Sequence, residues 1–308
     1  MFDIAEYSED QFDPLIGLIK EQAEHHGQTL TGSPRKLKEE FEKSDYTKAF
    51  LIRHDSAERP VGLGIVHELH TPNARGLYLE DIFIAKEFRN SVKGTGSYGF
   101  GHLIEIAREH DYDFVNWLVT SDNDDHTLKF YTEKCRAVPE DVALLSLSKK
   151  FNLTTAVPQA RFKQSTEQLG KGNFKITLHD TNDKELATAY LNKNFSTFRA
   201  VSGLRVEPHI IKSTNPDNLH RQLEIFKALH EAVLHFARER HMTGHVVWAV
   251  PKNQEALQMF LLSEGLTHYQ MDEEKPQTRF LPFKITKEEI QSDLMERLMQ
   301  KPALAPHS

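Results

Sequence analysis

Apolar positions along the chain change period several times, and each change predicts an element. Leu15, Leu18, Ile19 and Ala23 recur at helical spacing behind Pro14, which suits a first helical turn, and His25-His26-Gly27 marks the end of that helix. Leu37 and Phe41 predict a second short helix after Ser33-Pro34. Two β-rich runs, Ala49 to Arg53 and Val61 to His67, are joined by the polar stretch Asp55 to Pro60 and read as a hairpin. A third run, Leu77-Tyr-Leu-Glu-Asp-Ile-Phe-Ile84, is apolar except for two adjacent carboxylates and leads into the basic, glycine-bearing stretch Glu87 to Gly96. Phe100, Leu103, Ile106 and Ala107 then give a helix face ending near His110, and Phe114 to Val119 reads as a strand. A helix from Thr127 to Lys134 and a last strand from Val142 to Leu147 close the unit, in the order ααβββαβαβ.

After a polar passage from Asn152 to Gly172 the pattern starts again. Gly203-Leu-Arg-Val-Glu-Pro208 echoes Gly76-Leu-Tyr-Leu-Glu-Asp81, Ala237-Arg-Glu239 echoes Ala107-Arg-Glu109, and Trp248 echoes Trp117. Asn253 precedes Phe260 as Asn123 precedes Phe130. The shared order implies a domain-scale duplication: one unit over 1–150, a linker over 151–172, a second unit over 173–300 and a loose tail over 301–308. The second copy has no glycine pair in Lys212 to Asp217 and carries Leu261 where the first has Tyr131. Its last strand is expected at Arg279 to Ile285, and Thr286 with Glu289 predicts a capped C-terminal helix.

Composition narrows the function classes. A chain of 308 residues, 39% hydrophobic and 27% charged, is ordinary for two globular domains. No apolar run approaches the roughly 20 residues that cross a bilayer, and the N-terminus lacks a basic, then apolar, leader, so a cytoplasmic protein without membrane partners is expected. Cys135 is the only cysteine, which excludes an intrachain disulfide and argues against a zinc site. Adjacent His25 and His26 point in different directions on a helix, so no metal is expected there either. Residues 1–150 carry 18 Lys and Arg against 27 Asp and Glu, and the remainder 20 against 18. The acidic half argues against nucleic acid and is expected to favour a cationic ligand, the plainer alternative being a solvated acidic surface that keeps the protein soluble.

The run to Ile84, the turn Lys93-Gly-Thr-Gly96 and the helix beginning at Ser97 form a strand, an anion-binding turn and a helix N-terminus, which together cradle a phosphate. A second reading of Gly94, Gly96, Gly99 and Gly101 is a closely packed helix start. With Leu18-Ile-Lys-Glu21, Leu77-Tyr-Leu-Glu-Asp81, Lys93-Gly-Thr-Gly96 and Asn123 followed by Phe130-Tyr131 in register, residues 1–150 resemble a GNAT-superfamily N-acetyltransferase, and within it the diamine (spermidine/spermine) acetyltransferases. The second half resembles a degenerate copy. The resemblance implies an α+β chain of tandem GNAT folds, each a mixed, mostly antiparallel twisted sheet flanked by helices.

It also implies acetyl-CoA as co-substrate, lying between the fourth and fifth strands along Ile82, Phe83 and Ile84, with pantetheine pairing to the backbone of Ile82 and Ile84. The pyrophosphate is then expected on the N–H groups of Lys93, Gly94, Thr95, Gly96 and Ser97. Ser91 stands where the family carries a basic residue, and two residues are inserted after Arg89, so Arg89 or Lys93 takes that role. By the same resemblance Glu80 is the general base, Tyr131 the general acid, and Asn123 a pantetheine contact. Each has a plainer alternative: an ion pair for Glu80, core packing for Tyr131 and a helix cap for Asn123. The implied reaction is acetyl transfer to a primary amine of a small, polyamine-like cation by direct attack, without a Cys135 intermediate. Alternatives are a protein or peptide N-acetyltransferase and a non-catalytic CoA-binding protein. The second repeat is expected to cover the acceptor site as a partner subunit does in single-domain relatives, which favours a monomer over a homodimer.

Overall fold

The computed structural model describes residues 1–43, 46–89, 93–120, 125–147, 162–196, 201–210, 219–242, 245–269 and 280–300. The chain begins with β1 (Phe2–Glu6), then α1 (Phe12–His25) and α2 (Pro34–Lys43), and three antiparallel neighbours, β2 (Thr47–His54), β3 (Gly62–His70) and β4 (Arg75–Ile84). Leu15, Leu18 and Ile19 of α1 and Leu37 of α2 pack against Leu51, Leu63 and Ile65 on one face of this sheet. The opposite face receives α3 (Thr95–Glu109), whose Phe100, Leu103 and Ile104 meet Leu77, Leu79, Val115 and Trp117. Burial on both faces explains why β3 reads as a nearly continuous apolar run. β5 (Phe114–Thr120) lies parallel to β4 and is followed by α4 (Asp125–Lys129), β6 (Val138–Pro139) and β7 (Val142–Leu147).

The second half runs β8 (Lys163–Gly170), β9 (Asn173–His179), β10 (Glu185–Ser196), β11 (Val201–Ile210), α5 (Leu219–Glu239), β12 (Val246–Pro251), α6 (Glu255–Ser263), β13 (Thr267–His268) and β14 (Phe280–Thr286), ending in α7 (Lys287–Ile290) and α8 (Leu294–Met299). Parallel pairing of Leu204, Arg205 and Val206 with Val246, Val247 and Trp248 reproduces that of Leu77, Tyr78 and Leu79 with Val115, Asn116 and Trp117. Among the described residues no helix is long and apolar enough to cross a membrane.

The sheets differ from the expected pairing in their last strands. The first has the order β1-β2-β3-β4-β5-β14-β6 and the second β13-β7-β12-β11-β10-β9-β8, seven strands each. Val142 to Leu147, expected to close the first sheet, therefore lies in the second, and the run ending at Ile285, expected to close the second, lies in the first. Both strands are apolar enough for either sheet, so local pattern does not decide between them; the connection does. The Glu140 N–H donates to the Pro282 carbonyl in the first sheet (2.9 Å), and the Asp141 carbonyl accepts from Lys252 in the second (3.0 Å). The chain thus crosses between sheets within two residues. After β14 the C-terminal helices return to α3, where Arg108 donates to the Ile290 and Ser292 carbonyls (3.1 and 2.6 Å) and pairs with Glu296. Thr286 has the extended backbone of an N-cap, but its side chain makes no capping bond, and the Glu289 carboxylate turns instead to Arg136 and Ser292.

Between the sheets lies a polar seam. Register aligns Thr47, His67, Tyr78, Asn116 and Lys284 across one sheet, and Asn173, Asn192, Arg205, Val247 and Ser146 across the other. Asn192 bonds the His70 backbone in both directions, accepting from its N–H (2.7 Å) and donating to its carbonyl (2.9 Å). Arg205 lies over the Tyr78 ring, 5.1 Å from its centre.

Candidate active site

The parallel pairing of β4 with β5 ends at Leu79 and Trp117, although the strands run on to Ile84 and Thr120. The strands splay from that point. On its other edge β4 pairs Leu79 with Val66 and Asp81 with Ile65, leaving Glu80 as the extra residue of a β-bulge. A bulge re-aims side chains and here turns both carboxylates toward α1 and the second sheet. Asp81 accepts from Gln22 Nε2 on α1 (2.6 Å), while Glu80 Oε2 lies 3.8 Å from His67 Nε2.

Burial and the neighbouring Asp81 hold the Glu80 carboxyl well above the usual carboxylate range, partly opposed by Arg205. Its side chain remains 20% exposed, so an approach from solvent stays open. Burial pushes His67 down to about 4, against a backbone bond at Tyr46, and its Nδ1 lies 3.1 Å from Thr47 Oγ1. His67 is therefore neutral at neutral pH, and its Nε2 has no hydrogen-bond partner among the described residues.

The second half supplies the far wall. Burial works against the Arg205 charge, but Glu207, Glu140 and Tyr78 outweigh it and keep the guanidinium cationic. Its Nε donates to Glu207 Oε1 (2.7 Å) and its Nη2 lies 3.9 Å from Glu140 Oε2, which also accepts from Asn116 Nδ2 (3.2 Å). Four carboxylates, Glu80, Asp81, Glu140 and Glu207, gather in the region of one buried arginine.

At the far end of the splay Gly94 has φ +89° and caps α3, a conformation that strains any residue with a Cβ. A Cβ at Gly96 meets nothing within 4 Å, and Lys93 is exposed. An open glycine turn at the start of a 15-residue helix, ending in Thr95, Gly96 and Ser97 with their N–H groups at the positive end of the dipole, fits a phosphate. Arg89 is engaged elsewhere: Nε donates to the Ile84 carbonyl (2.9 Å), Nη1 lies 3.0 Å from His25 Nε2, and the guanidinium covers Phe83. Burial, then Arg89, depress His25. Ile82 and Ile84 are half-buried and Phe83 buried on this last stretch of β4. Asn123, Ser91 and the insertion between Arg89 and Lys93 lie outside the described residues.

Tyr131 stands in a π-helical turn, Phe130–Lys134, that continues α4, with the Cys135 N–H bonded to the Phe130 carbonyl (3.0 Å). Trp117, Phe100 and Phe283 surround its ring at 5.2 to 6.2 Å between centres. Burial raises the phenol well above its ordinary value and does the same to the Cys135 thiol. Both groups are thus held in their protonated forms, Tyr131 on the α3 side of the sheet.

The second unit differs at matching places. Its β10–β11 register is unbroken through Glu207, and Arg205 replaces Tyr78. His230 sits 5.7 Å from Trp248 and 6.3 Å from Phe260, as Phe100 sits 5.3 Å from Trp117 and 5.4 Å from Phe130. The bulge, Arg205 and Glu140 were not among the residues singled out from sequence; Arg205 is visible there only as the counterpart of Tyr78.

Comparison with solved structures agrees with this architecture. A tandem GNAT protein from the clavulanic acid biosynthesis pathway, determined without acetyl-CoA, matches with a TM-score of 0.51 at 12% identity over 93% of this chain and 99% of its own. A GCN5-related N-acetyltransferase from Sphaerobacter thermophilus matches with a TM-score of 0.51 at 10% identity over 93% and 96%. The chain therefore has a tandem GNAT fold. Residues 15–136 match the Acetyltransferase (GNAT) family, so this stretch of the chain is similar to a GNAT acetyltransferase domain. No curated protein matches the chain.

Proposed function

We propose that the first unit transfers the acetyl group of acetyl-CoA to a primary amine of a small cationic acceptor by direct attack. The observation that carries this reading is Glu80, bulged out of β4 where the β4–β5 pairing ends, with a proton affinity raised by burial and Asp81. Such a carboxylate accepts a proton from an ammonium better than an ordinary one does. The amine nitrogen bonds to the thioester carbonyl carbon as its proton passes to Glu80. The carbon–sulfur bond then breaks, and the leaving thiolate takes a proton from Tyr131. The splay holds pantetheine and the Lys93 to Ser97 turn the pyrophosphate; Asn123 is assigned a pantetheine contact.

The four carboxylates in the region of Arg205 favour a cation, and the second sheet beside Glu80 favours a small acceptor over a folded protein or a long peptide. The unbroken β11 and Leu261 support a second unit that shapes the acceptor site without catalysing, and hence a monomeric pseudo-dimer.

The test is acetyl-CoA turnover on a panel of diamines, polyamines and short peptides with Glu80→Gln and Tyr131→Phe. Each variant is expected to lose roughly 10²- to 10⁴-fold in kcat with acetyl-CoA binding retained. Unchanged rates in both sink the assigned roles, and turnover confined to peptides replaces the acceptor class.

A further inference from the structure

Buried atoms of the seam that lack a hydrogen-bond partner among the described residues include Nη1 of Arg205 and Oδ1 of Asn116. Arg205 is 5% exposed and Asn116 1%. Both side chains approach the same oxygen, Oε2 of Glu140, Arg205 through Nη2 and Asn116 through Nδ2. Because a carboxylate only accepts, that bond fixes the Asn116 amide with its oxygen turned away from Glu140. Arg205 is fixed as well, its Nε held by Glu207 and its plane lying over Tyr78. The two free atoms are thus a donor and an acceptor on neighbouring rigid groups, on the face of β4 that also carries Glu80. Buried polar atoms without partners are unfavourable, and few are left so in folded proteins.

Ligand chemistries differ in how they meet this pair. An ammonium only donates and leaves Nη1 unanswered. A carboxylate answers Nη1 but is repelled by Glu140, Glu207 and Glu80. A hydroxyl accepts from one and donates to the other. We propose that Arg205 and Asn116 form a hydroxyl subsite beside Glu80, so that the acceptor is a hydroxylated amine and not a linear polyamine. This deepens the reading above and rests on it: the first unit would hold the thioester and the base, while the second unit's arginine would select the acceptor.

The experiment compares kcat/KM of the full-length protein, at saturating acetyl-CoA, on 1,3-diaminopropane and 1,3-diamino-2-propanol, which differ by one hydroxyl. The hydroxylated amine is expected to be favoured about tenfold or more. The ratio should fall toward one in Arg205→Lys, which keeps the charge and loses Nη1, and in Asn116→Ala, which loses Oδ1; Asn116→Ala alone decides should Arg205→Lys not fold. Equal rates on the two amines, or a ratio retained in the variants, overturn the subsite and leave acetyl transfer standing. Absence of turnover on every amine of the wider panel overturns the parent reading and the subsite with it.

Discussion

At the scale of single residues, environment does more than identity. Glu80 and Glu207 stand at matching places, Glu80 half-buried and Glu207 buried, both with raised proton affinity, yet only Glu80 occupies a bulge, while Glu207 is tied to Arg205. In its proposed role as base Glu80 works deprotonated, so kcat/KM should rise with pH along a limb above the usual carboxylate range. Arg205 lowers that affinity, so Arg205→Gln should move the limb to higher pH; a limb that stays in place in a pH–rate profile contradicts the coupling. His230 makes a second case. Buried and depressed to about 4 from a model-peptide value of 6.5, it is neutral when folded and takes a proton when unfolded. The unfolded state therefore binds more protons between these values, and the stability that His230 contributes is complete above 6.5 and drains away as pH falls toward 4. From pH 7 to pH 5 this amounts to about 2 kcal/mol. His230→Phe, which copies Phe100, should remove that dependence in urea unfolding at the two pH values; an unchanged acid limb contradicts it. Both carboxylates and the Trp117–Trp248 pair were legible because identity repeats along the chain. The bulge was not, since the extra residue shows only in the pairing of β4 with β3.

Among the elements, the strand, turn and helix that begin the site were the most legible. Glycines at 94 and 96, following an apolar run and preceding a helical period, leave few alternatives. The structure separates their roles: Gly94 needs its left-handed backbone, and Gly96 has open space. Gly94→Ala should therefore cost about 1–2 kcal/mol. Gly96→Ala, in the first turn of α3, should be neutral or stabilising by up to about 1 kcal/mol. Thermal melts of the two variants check the pair, and equal losses would contradict it. Two strands escaped the pattern for a physical reason. β8 is exposed through Lys163 to Glu167 and beyond, so it shows no apolar alternation, and β1, at the other sheet's edge, has no fully buried residue. The Thr127 to Lys134 helix was foreseen, but not its π-helical turn, where the Cys135 N–H reaches back five residues to the Phe130 carbonyl.

For the whole molecule, the duplication was readable and the exchange of last strands was not, because a strand's alternation specifies which faces it buries but not which neighbour it joins. The first sheet needs β14 between β5 and β6, and the second needs β7 beside β12. Residues 1–150 expressed alone should therefore fail to fold, and a chain ending at 279 should lose the first sheet along with the second half's tail. Circular dichroism of either fragment decides this; a cooperative melt of 1–150 contradicts it. Asn192 is one of the ties between the sheets, and Asn192→Ala, which strands the His70 N–H and carbonyl, should cost about 2–3 kcal/mol in denaturant unfolding.

Exchanged strands also set an order of events in synthesis. The first sheet is encoded mostly in the first half of the chain, yet β5 waits for its neighbour β14 until Phe280 to Thr286 has left the ribosome. At roughly 5–20 residues per second, the stretch after Thr120 takes on the order of ten to thirty seconds to make. For that interval the nascent first unit has an open edge at β5, and a chain stalled near its middle has no finished active site to release.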